Sequence, residues 1–158
     1  MHKEIQRIVA LALGLLLAQP LLAGDRLALT ANGKVTELDL AALRALPATE
    51  ASSAYRSSKG IEAGIYKGVL LWDLVQAQGL VTADQVKPAL RHNLLVTAGD
   101  GHAVAFSIGE IAPDFGATPV LLAYEMNGAP LPDGLRMVVP GDLRGARYVK
   151  DVTGMDLR

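Results

Sequence analysis

The stretch Leu121–Leu157, LLAYEMNGAPLPDGLRMVVPGDLRGARYVKDVTGMDL, contains the signals that decide the fold. Asn127-Gly128 is typical of a type I′ hairpin turn, and Pro140-Gly141 marks a second turn. Short apolar runs on either side of these turns predict strands over 119–126, 136–139 and 147–152. Four basic residues are spread through the stretch: Arg136, Arg144, Arg147 and Lys150.

The chain before this stretch also alternates between short strands and short helices. Asn32-Gly33 predicts a hairpin, Asp39 and Ser107 are candidate helix caps, and Gly68–Leu80, GVLLWDLVQAQGL, predicts the clearest helix. Thr49–Ser58 is polar and compatible with a strand. Many short strands with a few short helices indicate an α+β domain. The other predicted strands cover 27–30, 35–38, 61–66, 94–97 and 102–106, and the other predicted helical segments cover 40–46, 82–90 and 109–111.

The first 23 residues have the order of features of a secretory signal peptide. Lys3 and Arg7 precede the apolar run Ile8–Leu17, and Leu21–Ala23 provides a small residue at the expected cut. An uncleaved membrane anchor is the alternative, but the run is shorter than the roughly 20 residues that span a bilayer. We therefore expect residues 24–158 to form one periplasmic or secreted domain without a stable membrane span.

Charge and cysteine content exclude several classes of function. The chain has 15 basic and 16 acidic residues and a formal net charge of −1, which argues against a nucleic-acid partner. It has no cysteine, so neither a disulfide nor a thiolate is available for a metal or a redox couple. His92 and His102 lack partners at the spacing of a zinc site, and His102 is expected to be a half-buried structural residue.

Three segments in order, LLAYEMNGAPLP, LRMVVPG and GARYVKDV, together with GVLLWDLV at Gly68–Val75, resemble the sulfite-oxidase-type oxidoreductase molybdopterin-binding domain family. The resemblance covers about 38–157. It implies that family's fold, which consists mainly of short antiparallel or mixed strands with a few short helices. It also implies molybdopterin as the cofactor that the scaffold could accommodate. By the same resemblance, Arg136 and Lys150 match cofactor contacts, with Arg147 close by.

A phosphate group needs guanidinium or ammonium partners, so Arg136, Arg147 and Lys150 are candidates for a cradle that binds an anion or the pterin phosphate. The alternative is that the four basic residues of this stretch are solvated charges at strand edges, balanced by acidic neighbours. These neighbours would be Asp133, Asp142 and Asp151.

The sequence departs from the family at the metal ligand. The resemblance places the ligand cysteine within Ala51–Gly60, ASSAYRSSKG, where four serines and no cysteine occur. We expect these hydroxyls to bond to the backbone, because a serine of ordinary acidity is a poor metal ligand. The His-Gly that sulfite-oxidizing members usually carry before the arginine motif is replaced by LPDG at Leu131–Gly134.

These departures favour an exported ligand-binding or accessory module without molybdenum catalysis. We predict no catalytic residue, no metal ligand and no bound cofactor, and an anionic small molecule or a periplasmic protein as the partner. The main alternative is a molybdopterin-dependent oxidoreductase that holds its cofactor without a cysteine ligand. An enzyme of unrelated chemistry in the same cleft is a third possibility.

Overall fold

The computed structural model describes residues 26–158, so the predicted signal peptide at 1–23 lies outside the described residues. The strands are β1 (Arg26–Ala31), β2 (Lys34–Asp39), β3 (Thr49–Ser57), β4 (Gly60–Leu70), β5 (Asn93–Ala98), β6 (Ala103–Ser107), β7 (Leu121–Met126), β8 (Ala129–Pro130), β9 (Arg136–Val138) and β10 (Val152–Leu157). The helices are α1 (Leu40–Arg44), α2 (Leu71–Ala77), α3 (Val86–Ala89) and α4 (Ile108–Ile111), with 3₁₀ turns at Ala83–Gln85 and Gly145–Arg147. The α+β class is confirmed.

The first sheet joins the two ends of the described chain. Its strand order is β2-β1-β10-β5-β6, and β1 pairs with β10 in parallel while the other neighbours are antiparallel. Asn32 and Gly33 have φ values of 50° and 75°, which are the left-handed conformations that a type I′ turn requires. The predicted hairpin is therefore confirmed.

The second sheet contains the β3–β4 hairpin, which lines the cleft described below. Its order is β3-β4-β7-β8, and β9 pairs with β7. β3 and β4 form a long hairpin with an unbroken register from Thr49 opposite Gly68 to Ser57 opposite Gly60. The Asn127-Gly128 turn, with φ values of 52° and 79°, joins β7 to β8 as predicted.

Two helix caps appear as the sequence predicts. The Asp39 Oδ1 atom accepts a hydrogen bond from the Ala42 amide at 2.8 Å and begins α1. The Ser107 hydroxyl accepts one from the Glu110 amide at 3.0 Å and begins α4. Each side chain satisfies an amide that has no partner inside its own helix.

Two predicted elements are wrong in position. The helix predicted from Gly68 begins only at Leu71, because Gly68–Leu70 completes β4 and pairs with β7. The strand predicted over 147–152 is instead a 3₁₀ turn and an irregular segment. β10 begins at Val152, directly after Asp151, which has a φ of 51°.

The apolar faces of both sheets meet in one core. Leu27, Leu94 and Phe106 from the first sheet and Tyr66 and Leu122 from the second belong to the same buried cluster. The four helices are short, since the longest has seven residues, and each contributes buried side chains to this core. Within residues 26–158, no helix is long and apolar enough to cross a membrane.

Candidate anion-binding cleft

An open cleft of about 600 Å³ lies between the tip of the β3–β4 hairpin and the segment that leads into β10. The hairpin contributes Tyr55 to Lys59 and Glu62, and the C-terminal segment contributes residues 144–146, Tyr148 and Lys150. The cleft therefore joins the window in which the family resemblance placed the ligand cysteine to the basic stretch of the C-terminal segment.

The serine-containing window forms the hairpin tip. The Ser57 hydroxyl donates to the Gly60 carbonyl at 3.3 Å and accepts from the Lys59 amide at 3.1 Å, in the backbone-bonded role expected from the sequence. Ser53 differs, because it is buried and its hydroxyl pairs with the hydroxyl of Tyr148. These two hydroxyls therefore already have hydrogen-bond partners within the protein.

Two stacked tyrosines form the wall of the cleft. The rings of Tyr55 and Tyr148 lie 3.8 Å apart between centroids, at 28°. Tyr55 donates its hydroxyl proton to Glu62 at 2.8 Å, and Tyr148 donates to the Val139 carbonyl at 2.8 Å, so Ser53 is the donor to Tyr148. Burial raises the pKa of both tyrosines, and for Tyr55 the bond to Glu62 raises it further. Both rings are therefore neutral at physiological pH.

Arg136, one of the three predicted cradle residues, is buried rather than solvated. Only 5% of the residue is exposed, and its Nη2 atom donates to both carboxylate oxygens of Asp133 at 2.6 Å. Its Nε atom and the hydroxyl of Tyr66 are buried and have no hydrogen-bond partner within residues 26–158. Asp133 thus neutralises most of the charge that Arg136 could offer to a ligand.

Arg147 is held by two carboxylates away from the cleft lining. Its guanidinium bonds to both oxygens of Asp142 at 2.7 Å and to Glu110 at 2.7 Å, and it lies 5.5 Å from the ring centroid of Phe106. The bonds to Asp142 raise the pKa of Arg147 most, and the bond to Glu110 raises it further. The arginine therefore ties the C-terminal segment to α4.

Lys150 is the one predicted cradle residue that lines the cleft. Its Nζ atom lies 3.5 Å from Glu62 and 4.0 Å from Asp133, and 43% of its side chain is exposed. Arg136 and Lys150 thus share Asp133, whereas Arg147 belongs to a separate ion cluster. The structure does not bring the three cations to one point, and their binding of an anion stays a prediction.

Three other cations line the cleft and were not selected from the sequence as ligand-binding residues: Arg56, Lys59 and Arg144. Among residues 26–158, none of the three has a carboxylate within ion-pair distance, and Glu62 is the only acidic residue in the lining. The expected balance by acidic neighbours holds for Arg136 and Arg147, but not for Arg144. The position of Arg56 and Lys59 inside the serine window was the signal that could have identified them.

The family of oxidoreductase molybdopterin binding domains matches residues 26–158, which is most of the chain. The chain belongs to this family. Among solved structures, the sulfane dehydrogenase SoxCD from Paracoccus pantotrophus matches with a TM-score of 0.67 at 21% identity. The match covers 89% of this chain and 40% of that one, so this chain spans well under half of the SoxCD chain's length. No curated protein matches the sequence.

The residues of this family member do not fit a thiolate-bound molybdenum. The chain has no cysteine, and within residues 26–158 no group of three or more histidine, aspartate or glutamate residues could hold a metal ion. His102 does not supply a ligand set either. It is exposed rather than half-buried, and its Nε2 lies 3.1 Å from the Ala146 carbonyl. The cations of the cleft lining, in contrast, do suit an anionic group.

Proposed function

We propose that this molybdopterin-binding-type domain is an exported module that binds an anionic small molecule in the cleft and does not perform molybdenum catalysis. The observation that carries this proposal is the composition of the cleft lining. Arg56, Lys59 and Arg144 have no carboxylate partner within the described residues, and Lys150 and Glu62 largely neutralise each other. An anion that enters would therefore meet an uncompensated positive lining.

The serine-containing window Ala51–Gly60 supports the proposed lack of molybdenum catalysis. Ser53 and Ser57, two of the four serines in the window where the resemblance places the ligand cysteine, have hydroxyls that are already hydrogen-bonded inside the protein. A serine of ordinary acidity is a poor metal ligand, and these internal hydrogen bonds would have to break before either hydroxyl could bind a metal. Family membership favours the alternative, a molybdopterin-dependent oxidoreductase that holds its cofactor without a cysteine ligand, so the two functions need a direct test.

Molybdenum and pterin content separates the two functions. The full chain is expressed in a host that makes molybdopterin, and the purified protein is analysed for metal by mass spectrometry and for pterin by fluorescence after oxidation. We expect neither to approach one per chain. Stoichiometric molybdenum and pterin would establish the oxidoreductase alternative and contradict our proposal.

Anion binding is tested with inorganic phosphate as the probe. Isothermal titration or amide chemical shifts should show binding that weakens as ionic strength rises. We expect Arg144→Gln and Lys59→Gln each to weaken it about three- to tenfold, because each removes an exposed cation. Lys87→Gln is the matched control, since it removes an equal charge on α3, outside the cleft lining. Equal effects of all three variants would indicate a general charge effect rather than a site.

Export is tested by the mass of the mature protein. We propose a periplasmic or secreted location, on the basis of Lys3, Arg7 and the apolar run Ile8–Leu17. Protein recovered from the periplasm should lack the N-terminal residues through Ala23, within a few residues. An intact N-terminus on protein found only in the cytoplasm would contradict this location.

A further inference from the structure

We propose that the ligand of this cleft is an amphiphilic anion, with its charged head held by Arg56 and Arg144 and its apolar part lying against Ile61 and Leu143. This inference rests on the proposed anion-binding function and specifies its ligand class. None of its four residues belongs to the cradle predicted from the sequence, which consists of Arg136, Arg147 and Lys150.

The β3–β4 register and one isolated bridge place Arg56, Ile61 and Arg144 side by side. Arg56 on β3 lies directly opposite Ile61 on β4, and it also forms a parallel bridge with Arg144. The Arg56 amide donates to the Leu143 carbonyl at 3.0 Å, which holds the two segments together. Directly opposed residues project to the same face of a sheet, so Ile61, Arg56 and Arg144 share one face.

The Arg56–Arg144 pair is an unusual arrangement of charge. Like charges that lie directly opposite each other in a sheet repel and destabilise the pairing. Within residues 26–158, neither guanidinium has a carboxylate partner. An anionic head group bound between them would remove this repulsion, and arginine is well suited to hold phosphate or carboxylate through two hydrogen bonds.

An apolar hollow adjoins the cationic pair. It has a volume of about 450 Å³ and is lined by Ala54, Tyr55, Arg56, Ile61, Leu143 and Arg144, three of which also line the cleft. Ile61 is 76% exposed and Leu143 is 83% exposed, which makes them the most exposed of the large apolar residues in the described part of the chain. A single ligand can therefore contact the arginines and this hollow together.

Charge and apolarity together define the ligand class. A fully polar anion would satisfy the arginines but leave Ile61 and Leu143 in water, whereas a phosphate, sulfate or carboxylate that carries an alkyl or aryl group would cover them. The cleft and the adjoining hollow, with volumes of about 600 and 450 Å³, are of the size that holds small molecules. We therefore assign the site to a free amphiphilic anion rather than to a membrane surface.

The test compares the binding of methyl phosphate with that of octyl phosphate, both titrated calorimetrically into the mature protein. Octyl phosphate is kept below its micelle-forming concentration. The head groups are the same, so a difference in affinity measures the apolar contact. We expect octyl phosphate to bind at least about tenfold more tightly, since burial of only two or three methylene groups gives that factor. Leu143→Ser and Ile61→Ser should each reduce this ratio, because they remove apolar surface that only octyl phosphate can cover. Val35→Ser, an exposed apolar residue on β2, is the matched control.

Each outcome decides a different statement. If both probes bind equally and Arg144→Gln weakens both, the anion-binding function stands and the amphiphile inference is overturned. If neither probe binds, the proposed function fails and this inference fails with it. Binding only to phosphatidylglycerol vesicles, without binding of monomeric octyl phosphate, would also overturn the inference, because it would indicate a membrane surface instead.

Discussion

At the scale of single residues, the position of the nearest carboxylate decides what each cation of the basic stretch does. Arg147 touches two carboxylates and ties the C-terminal segment to α4, whereas Arg144 has no such partner in the described chain and lines the cleft. Arg136 is buried beside Asp133. Three arginines within twelve residues of sequence therefore differ in role. Arg136 and Arg147 are structural, whereas Arg144 is a candidate for ligand binding.

Replacement of Arg136 by alanine should destabilise the fold. The change leaves Asp133 without its closest partner and removes a buried side chain, so we expect the free energy of unfolding to fall by about 3 kcal/mol. Arg144→Ala should change it by no more than about 0.5 kcal/mol, because that side chain is exposed and has no carboxylate partner within residues 26–158. Urea unfolding measures both. A fall of under about 1 kcal/mol for Arg136→Ala would contradict a structural role for the Arg136–Asp133 pair.

Glu62 should make the stability depend on acid pH. A hydrogen bond from Tyr55, together with the nearby Lys150, lowers the pKa of Glu62 below its ordinary range. A carboxylate with a lowered folded-state pKa stabilises the protein above its unfolded value of about 4.3, and this contribution is lost as pH falls through the folded value. The stability difference between the wild type and Glu62→Gln should therefore be larger at pH 7 than at pH 3. An equal stability difference at pH 7 and pH 3 would contradict this stabilising role of the Glu62 carboxylate.

At the scale of elements, close backbone contact decides where β4 ends and α2 begins. Gly68 sits where β4 crosses β7 at a register shift, and a Cβ there would lie 2.5 Å from the Ala123 Cα atom. The absence of a side chain lets β4 continue to Leu70 before the helix starts. The same residue that the sequence indicated as a helix start is in fact a strand residue.

The variant Gly68→Ala should disrupt the junction of β4 with β7. Since the new methyl group would collide with backbone rather than with a flexible side chain, we expect a loss of more than about 2 kcal/mol in the free energy of unfolding. Gly154→Ala on β10 is a matched control, because its Cβ would meet only the Ala28 carbonyl oxygen at an ordinary 3.8 Å. Equal stability of the two variants in urea would show that the contact at Gly68 relaxes without cost.

At the scale of the whole molecule, the two sheets share one buried cluster, so neither can keep its core without the other. The parallel pairing of β1 with β10 further links the ends of the described chain. The cleft depends on this arrangement, because one of its walls comes from the β3–β4 hairpin of the second sheet and the other from the segment that enters β10 of the first.

Thermal unfolding of the mature chain should therefore be a single cooperative transition. We expect the calorimetric and van't Hoff enthalpies to agree, and the fluorescence of Trp72 to change at the same temperature as the far-ultraviolet circular dichroism. Trp72 is the one tryptophan in the sequence and packs against the shared core, so it reports on that core directly. Two separated transitions would show that the chain contains independently folding parts.

The sequence by itself determined the features that depend on neighbouring residues. Asn32-Gly33 and Asn127-Gly128 predicted hairpins because these residues accept positive φ, and Asp39 and Ser107 predicted helix starts because their side chains reach amides three residues away. The order of the motifs likewise indicated the family, and the lack of cysteine excluded a thiolate ligand without reference to any spatial contact.

Only the tertiary structure decided the charge of the cleft and the ends of several elements. Arg147 meets Glu110 across 37 residues of sequence, and the Arg56–Arg144 bridge and the contact between Lys150 and Glu62 join segments separated by even longer stretches. Local propensity contains no information on such contacts, because they form when distant strands pack on one core. The physical reason is that an ion pair or a backbone collision depends on distance in space, whereas turns and caps depend on distance along the chain.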